Sequence, residues 1–148
     1  MLYMHTIDLK PVQIEGKKRE LLIHAQLHLP MKSSNGQRDC GLNTPPVEPQ
    51  STGIIITHGA GGGGMEAPHM QRYVTGLVQQ GFPCISFECG GSSLALRSDV
   101  YGAVLAHTIV WQETRDIQGW ILAGHSMVKR QLDVLVEVLI DQRGSGLG

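Results

Sequence analysis

The sequence is short of aromatics, at 5%, and of charge, at 17%, and it has no apolar run near the roughly 20 residues that a membrane span requires. Its first ten residues, Met1 to Lys10, lack the basic start and long apolar core of a signal peptide. It also lacks charge of one dominant sign: 12 Lys and Arg stand against 13 Asp and Glu, a formal net charge of -1. That balance gives no electrostatic drive toward nucleic acid or an anionic membrane, and neither is expected as a partner. The only basic run, Lys17-Lys18-Arg19, reads as a solvated hairpin turn. Cysteine is scarce, with Cys40, Cys84 and Cys89 at spacings that match no zinc pattern. Cys84 and Cys89 fall in one expected strand, five positions apart, so they point to opposite faces and cannot bridge. A reducing, intracellular setting, cytoplasmic or nuclear, is the reading that fits, and no cofactor or metal is called for.

What remains is a chain of 148 residues, 41% apolar, the size and composition of one globular domain. Thr6 to Glu15 alternates in part, but Pro11 makes it an edge strand or a broken one. Glu20 to Leu29 alternates throughout, with Leu21, Ile23, Ala25, Leu27 and Leu29 on one face and Leu22, His24, Gln26 and His28 on the other. The two are expected to form an antiparallel hairpin around Gly16 to Arg19. Pro30 to Thr52 is rich in Ser, Asn, Gly and Pro and reads as a long flexible loop. Gly53 to Thr57, Phe82 to Cys89 and Gly119 to Ala123 are short apolar runs of the kind that make strands buried on both faces. Helices are expected at Pro68 to Gln80, stopped by Gly81, and at Ser98 to Asp116, capped by Ser98 or Asp99, with Tyr101, Val104, Leu105, Thr108, Ile109 and Trp111 as its apolar stripe. A last helix is expected at Met127 to Asp141. A hairpin followed by alternating strands and helices implies an α/β fold with a mainly parallel sheet.

Two segments carry chemistry. Gly124-His125-Ser126-Met127 stands directly between an expected strand and an expected helix. A serine on so sharp a turn is lifted clear of the sheet, and the positive end of the following helix faces charge developing on a substrate oxygen. The turn requires small residues two before and two after the serine; Gly124 satisfies the first, and Val128 stands at the second. The other segment, His58-Gly59-Ala60-Gly61-Gly62-Gly63-Gly64, follows the first buried strand. Its glycines let the backbone curl and bring N–H groups against a ligand.

The loop and the serine turn, about 65 residues apart with a βα unit between them, resemble the dienelactone-hydrolase-like branch of the α/β-hydrolases. Within it the chain is most similar to the hydrolase-like proteins typified by the third subunit of the NSL histone-acetyltransferase complex and its testis-expressed relatives. The resemblance runs from about Thr6 to Met127. It implies an incomplete α/β-hydrolase fold and hydrolysis of an ester or related acyl bond. Ser126 would be the nucleophile, the N–H groups of Ala60 and Met127 the oxyanion donors, and Gly59, Gly61, His58 and His125 the residues around a small acyl-ester substrate.

The family's acid and histidine follow the serine. Here 22 residues follow Ser126, with Asp133 and Asp141 among them and no histidine. The sequence from Val128 departs from the family, so 128–148 reads as an atypical tail, truncated or misspliced, and this chain as inactive. The missing strands would leave a sheet edge open to self-association. His125 precedes the nucleophile on the same turn, cannot be its base, and reads as a packing residue. His58 reads as a brace for the glycine loop. His24 and His28 are about 13 Å apart along a strand, too far to share one metal, and Cys89 reads as a buried thiol.

Two other functions compete. One is a non-catalytic interaction module of a chromatin-type complex, with a protein partner. The other is dinucleotide binding, since Gly59 to Gly64 fits G-x-G-x-x-G and Glu88 follows 24 residues later. Against the second, Pro68 starts the helix several residues beyond the last glycine.

Overall fold

The computed structural model describes residues 4–15, 20–31, 50–59, 64–89 and 94–124. In chain order these form strands β1 (Met4–Asp8), β2 (Val12–Glu15), β3 (Glu20–Ile23), β4 (Ala25–Pro30) and β5 (Thr52–Thr57), then helix α1 (Pro68–Gln79), strand β6 (Cys84–Phe87), helix α2 (Leu94–His107), a 3₁₀ turn (Gln112–Thr114) and strand β7 (Gly119–Gly124). The main sheet has the order β1-β4-β6-β5-β7, and β2 and β3 pair as a separate two-stranded sheet. β5 runs parallel to both β6 and β7, while β4 is antiparallel to β6 and to β1. This is the α/β architecture with a mixed sheet and an N-terminal antiparallel hairpin.

The hairpin differs from a simple pair of long strands. The expected single strand Glu20 to Leu29 is divided at His24, and its partner is divided around Pro11. Pro11 has no N–H to give to a ladder. His24 turns its carbonyl to the Glu88 N–H at 3.1 Å, and Leu9 donates to the Ala25 carbonyl at 3.0 Å. The hairpin thereby bends away from the sheet, and β2 packs against α2. Pro30 and Thr52, assigned by sequence to a loop, close β4 and open β5. The rest of that loop, over 32–49, lies outside the described residues, as do the turn at 16–19 and the expected helix and tail beyond 124.

Among the described residues each face of the main sheet is covered by one helix. Ile55, Ile85 and Phe87 face α2, which contributes Val100, Tyr101 and Val104, and the bent hairpin adds Leu9, Val12 and Ile23. Ile56 and Cys84 face α1, which contributes Met70, Val74 and Val78. The alternation along β6 puts Cys84 and Cys89 in different cores, both as free thiols. Burial pushes the Cys84 thiol up to about 12. Helix α1 begins with Pro68 at its first turn and ends where Gly81 takes φ +88°. There the Phe82 N–H bonds the Leu77 carbonyl at 3.2 Å and the Gly81 N–H bonds the Val78 carbonyl at 2.9 Å, a paired closure that needs the left-handed residue.

Helix α2 begins four residues before the expected start and ends at His107. Ser98 and Asp99 are interior, not caps. The stripe that turns inward is Arg97, Val100, Tyr101 and Val104, at helical spacing but headed by a cation, which the apolar pattern does not register. The C-terminal end of α2 has its own cause. Thr108, Ile109 and Val110 are consecutive β-branched residues, poor helix formers, and the Thr108 hydroxyl donates back to the Leu105 carbonyl at 2.7 Å. Ile109 and Val110 are left 87% and 72% exposed, so Ile109 is not part of the stripe. Trp111 is buried outside the helix, with its indole N–H donating to the Lys10 carbonyl at 3.2 Å.

Candidate functional site

The connections out of β5 and β6 run to opposite sides of β5, since β6 and β7 flank it. In open α/β sheets the crevice at the carboxyl ends of such strands is where ligands bind. The strands align Thr57 with both Phe87 and Gly124. Thr57 and Gly124, which precede the glycine loop and the serine turn in sequence, therefore end adjacent strands about 4.8 Å apart.

His58 ends β5. Its Nδ1 lies 2.8 Å from the Gly59 carbonyl, and its Nε2 lies 3.2 Å from the Cys89 N–H and 3.2 Å from Glu88 Oε2. One nitrogen cannot both accept from Cys89 and donate to Glu88. A proton on Nδ1 goes to the Gly59 carbonyl and leaves Nε2 to accept from Cys89, whereas a proton on Nε2 goes to Glu88. Either way the imidazole is turned toward the end of β6 and away from β7, which places it as a link between two strand ends rather than as a base for a group following β7. Glu88 Oε1 also accepts the Met65 N–H at 3.1 Å. Gly64 lies against this carboxylate with φ +76°, and a Cβ there would come within 2.7 Å of Oε1. The far end of the glycine loop is thus pinned to the end of β6.

The Thr57 hydroxyl donates to the Phe87 carbonyl at 3.0 Å, joining β5 to β6 one residue below. Arg97 reaches in from α2. Its Nη1 donates to the Cys89 carbonyl at 3.0 Å and its Nη2 to the His58 carbonyl. Burial raises the Cys89 thiol, with Arg97 pulling it down and Glu88 pushing it up. The Tyr101 hydroxyl lies 2.6 Å from the Ile55 carbonyl and 2.9 Å from the Ala123 carbonyl, either of which it can donate to, and accepts the Ala123 N–H at 3.1 Å. Burial holds this phenol well above its ordinary value.

Of the site residues expected from sequence, the structure describes His58 and Gly59, which follow β5. Ala60, Gly61, His125, Ser126 and Met127 lie outside the described residues. Glu88, Arg97 and Tyr101 were not assigned to this site by sequence. The i, i+4 spacing of Arg97 and Tyr101 is the one signal that could have linked the last two. His28, set aside as a metal ligand, is buried, with Nδ1 3.0 Å from the Thr6 hydroxyl and Nε2 2.8 Å from the Ser86 hydroxyl. Among the described residues no cluster of His, Cys, Asp and Glu could hold a metal ion, and no helix is long and apolar enough to cross a membrane. A cleft of about 380 Å³ lined by Lys10, His107 and Trp111 sits at the far end of α2 and shares no residue with the strand ends.

No family model matches the chain. Solved structures do. One is an α/β serine hydrolase without a lid from Xanthomonas campestris, with a TM-score of 0.54 and 17% identity over 80% of this chain. Another is an α/β serine hydrolase homologue from Coxiella burnetii, with a TM-score of 0.52 and 18% identity over 79% of this chain. In each case the chain spans about half of the solved protein, 51%. The fold is that of an α/β-hydrolase over the part these structures share with it.

Proposed function

We propose that the chain carries the nucleophile and oxyanion half of a serine acyl-ester hydrolase site of the dienelactone-hydrolase-like kind. Ser126 attacks the carbonyl, and the N–H groups of Ala60 and Met127 hold the oxyanion. The observation that carries this reading is the pairing of Thr57 with Gly124, which starts the glycine loop and the serine turn next to one another on parallel strands. Two such donors contribute about 3 kcal/mol each to the transition state in hydrolases of this type. Gly59, Gly61, His58 and His125 belong to the substrate side of the same crevice. Among the described residues none is assigned as the base, since His58 is turned to β6. Glu88, which a dinucleotide reading would give to a ribose, is engaged by Met65 and faces His58. The free thiols of Cys84 and Cys89 go with an intracellular setting.

A fluorophosphonate tests the nucleophile without needing turnover. Mass spectrometry is expected to find the adduct on Ser126 and to find none in Ser126→Ala. No adduct on the folded wild-type chain would sink this reading. It would favour a non-catalytic interaction module, for which the β-branched Val128 at the small-residue position of the turn is the supporting feature. Among the described residues β7 is paired on one side only, and Ile121 is 50% exposed. Self-association through that edge belongs to the same reading, and a sedimentation profile of monomer at all concentrations would remove it.

A further inference from the structure

Arg97 and Tyr101 stand four residues apart on the inward face of α2, and both are fully buried. Each sends its polar end past the apolar core to main-chain atoms at the carboxyl ends of the strands. Arg97 holds the carbonyls of His58 and Cys89, which follow β5 and β6. Tyr101 holds Ile55 and Ala123, which belong to β5 and β7, and Ala123 lies three residues before Ser126. Burying a guanidinium and a phenol is unfavourable unless their bonds are made, so an apolar pair would cover this face with less desolvation. What the polar pair supplies is position.

We propose that Arg97 and Tyr101 are positioning residues, fixing the spacing between the ends of β5, β6 and β7 from which the glycine loop and the serine turn start. The inference rests on the acyl-site reading above. An oxyanion hole built from two separate strand ends requires two N–H groups to converge on one oxygen, and its quality depends on where each main chain lies to within about 0.5 Å. Hydrogen bonds to the main chain set that distance directly. The Tyr101 hydroxyl sits in the β5–β7 ladder itself, between the Ile55 carbonyl and the Ala123 main chain.

Tyr101→Phe removes one oxygen and keeps the ring, including its edge contact with Phe87 at 5.1 Å between centroids. Val104→Ala serves as the comparison, since Val104 is buried on the same helix but reaches no main-chain polar group at the strand ends. Two readouts on the full chain are compared: fluorophosphonate labelling of Ser126, resolved into a maximal rate and a half-saturating concentration, and amide hydrogen exchange. Tyr101→Phe is expected to lower the maximal rate about tenfold to a hundredfold, with half-saturation changed by less than about twofold. Val104→Ala, at a temperature where it is folded, keeps the wild-type maximal rate. At matched global stability, exchange at Ala123 and Gly124 is expected to be at least about tenfold faster in Tyr101→Phe than in Val104→Ala. Arg97→Lys, which keeps the charge, is expected to retain part of the labelling rate that Arg97→Met loses. Wild-type labelling in Tyr101→Phe, or an equal loss in Val104→Ala, overturns the inference. If the wild-type serine takes no probe, the acyl-site reading falls, and the exchange data alone decide positioning: unchanged protection at Ala123 in Tyr101→Phe overturns it.

Discussion

The two helices cover opposite faces of one sheet by different means. Helix α1 lays Met70, Val74 and Val78 on its face and is closed by Gly81. Helix α2 lays down Val100 and Val104 but adds Arg97 and Tyr101, which reach beyond the apolar layer to named carbonyls. Apolar contact is non-directional, so it fixes that a helix covers a sheet more firmly than where along the sheet it sits. Charged and phenolic hydrogen bonds are directional and fix the place. The face with directional anchors is the one whose helix ties together all three strand ends at the candidate site.

The sharpest way to break this contrast is Arg97→Met. Two buried carbonyls lose a charged donor, and a loss of about 3 kcal/mol or more in urea unfolding is expected, against about 1 to 2 kcal/mol for Val74→Ala under α1. Equal losses would erase the distinction between the faces. Gly53→Ala comes next. Gly53 is paired with Trp120, whose ring a Cβ would overlap, so β5 and β7 must move apart or the indole must turn. A loss of about 1 to 3 kcal/mol is expected, with quenched or shifted Trp fluorescence as the check. Gly81→Ala probes the simpler helix. A φ of +88° suits no side chain, so about 1 kcal/mol is expected to disappear at the end of α1, with Ser126 labelling unaffected.

The smallest effect concerns pH. Burial lowers the pKa of His28 from 6.5, so the folded state prefers the neutral ring that the unfolded chain would protonate. Its contribution is complete above the unfolded value and is lost as pH falls from there through the lower folded value. The melting temperature is expected to drop between about pH 7.5 and about pH 5.5, and less so in His28→Gln. An identical drop in both proteins would assign the effect to other groups.

Much of the fold is legible in the residues. The β-branched run of β5, the amphipathic face of α1 and the glycine that ends it all follow from local pattern. The departures share one physical origin, which is that tertiary contacts overrode local signals. Arg97 reads as a surface residue until the carbonyls it serves are known, so the start of α2 is misplaced. Alternation runs unbroken through His24, yet the chain bends there because Glu88 claims its carbonyl. Trp111 sits at helical spacing from Thr108, but its indole is held by Lys10. For the site, the serine turn and glycine loop are motifs and can be read directly. Their adjacency depends on β5 pairing with β7 across an intervening βα unit, which neither strand encodes by itself.

The bond from the Trp111 indole to the Lys10 carbonyl spans 101 positions of the chain. Leu9, Val12 and Ile23 share a core with Val100, Tyr101 and Trp111, so these strands, made before α2, have no completed surface to pack on until α2 and the turn after it have emerged. On a ribosome adding about 5 to 20 residues per second, the apolar side of the hairpin waits several seconds for its cover. During that interval the hairpin's apolar side stays uncovered, and it can close onto this core only once α2 and the Trp111 turn have emerged.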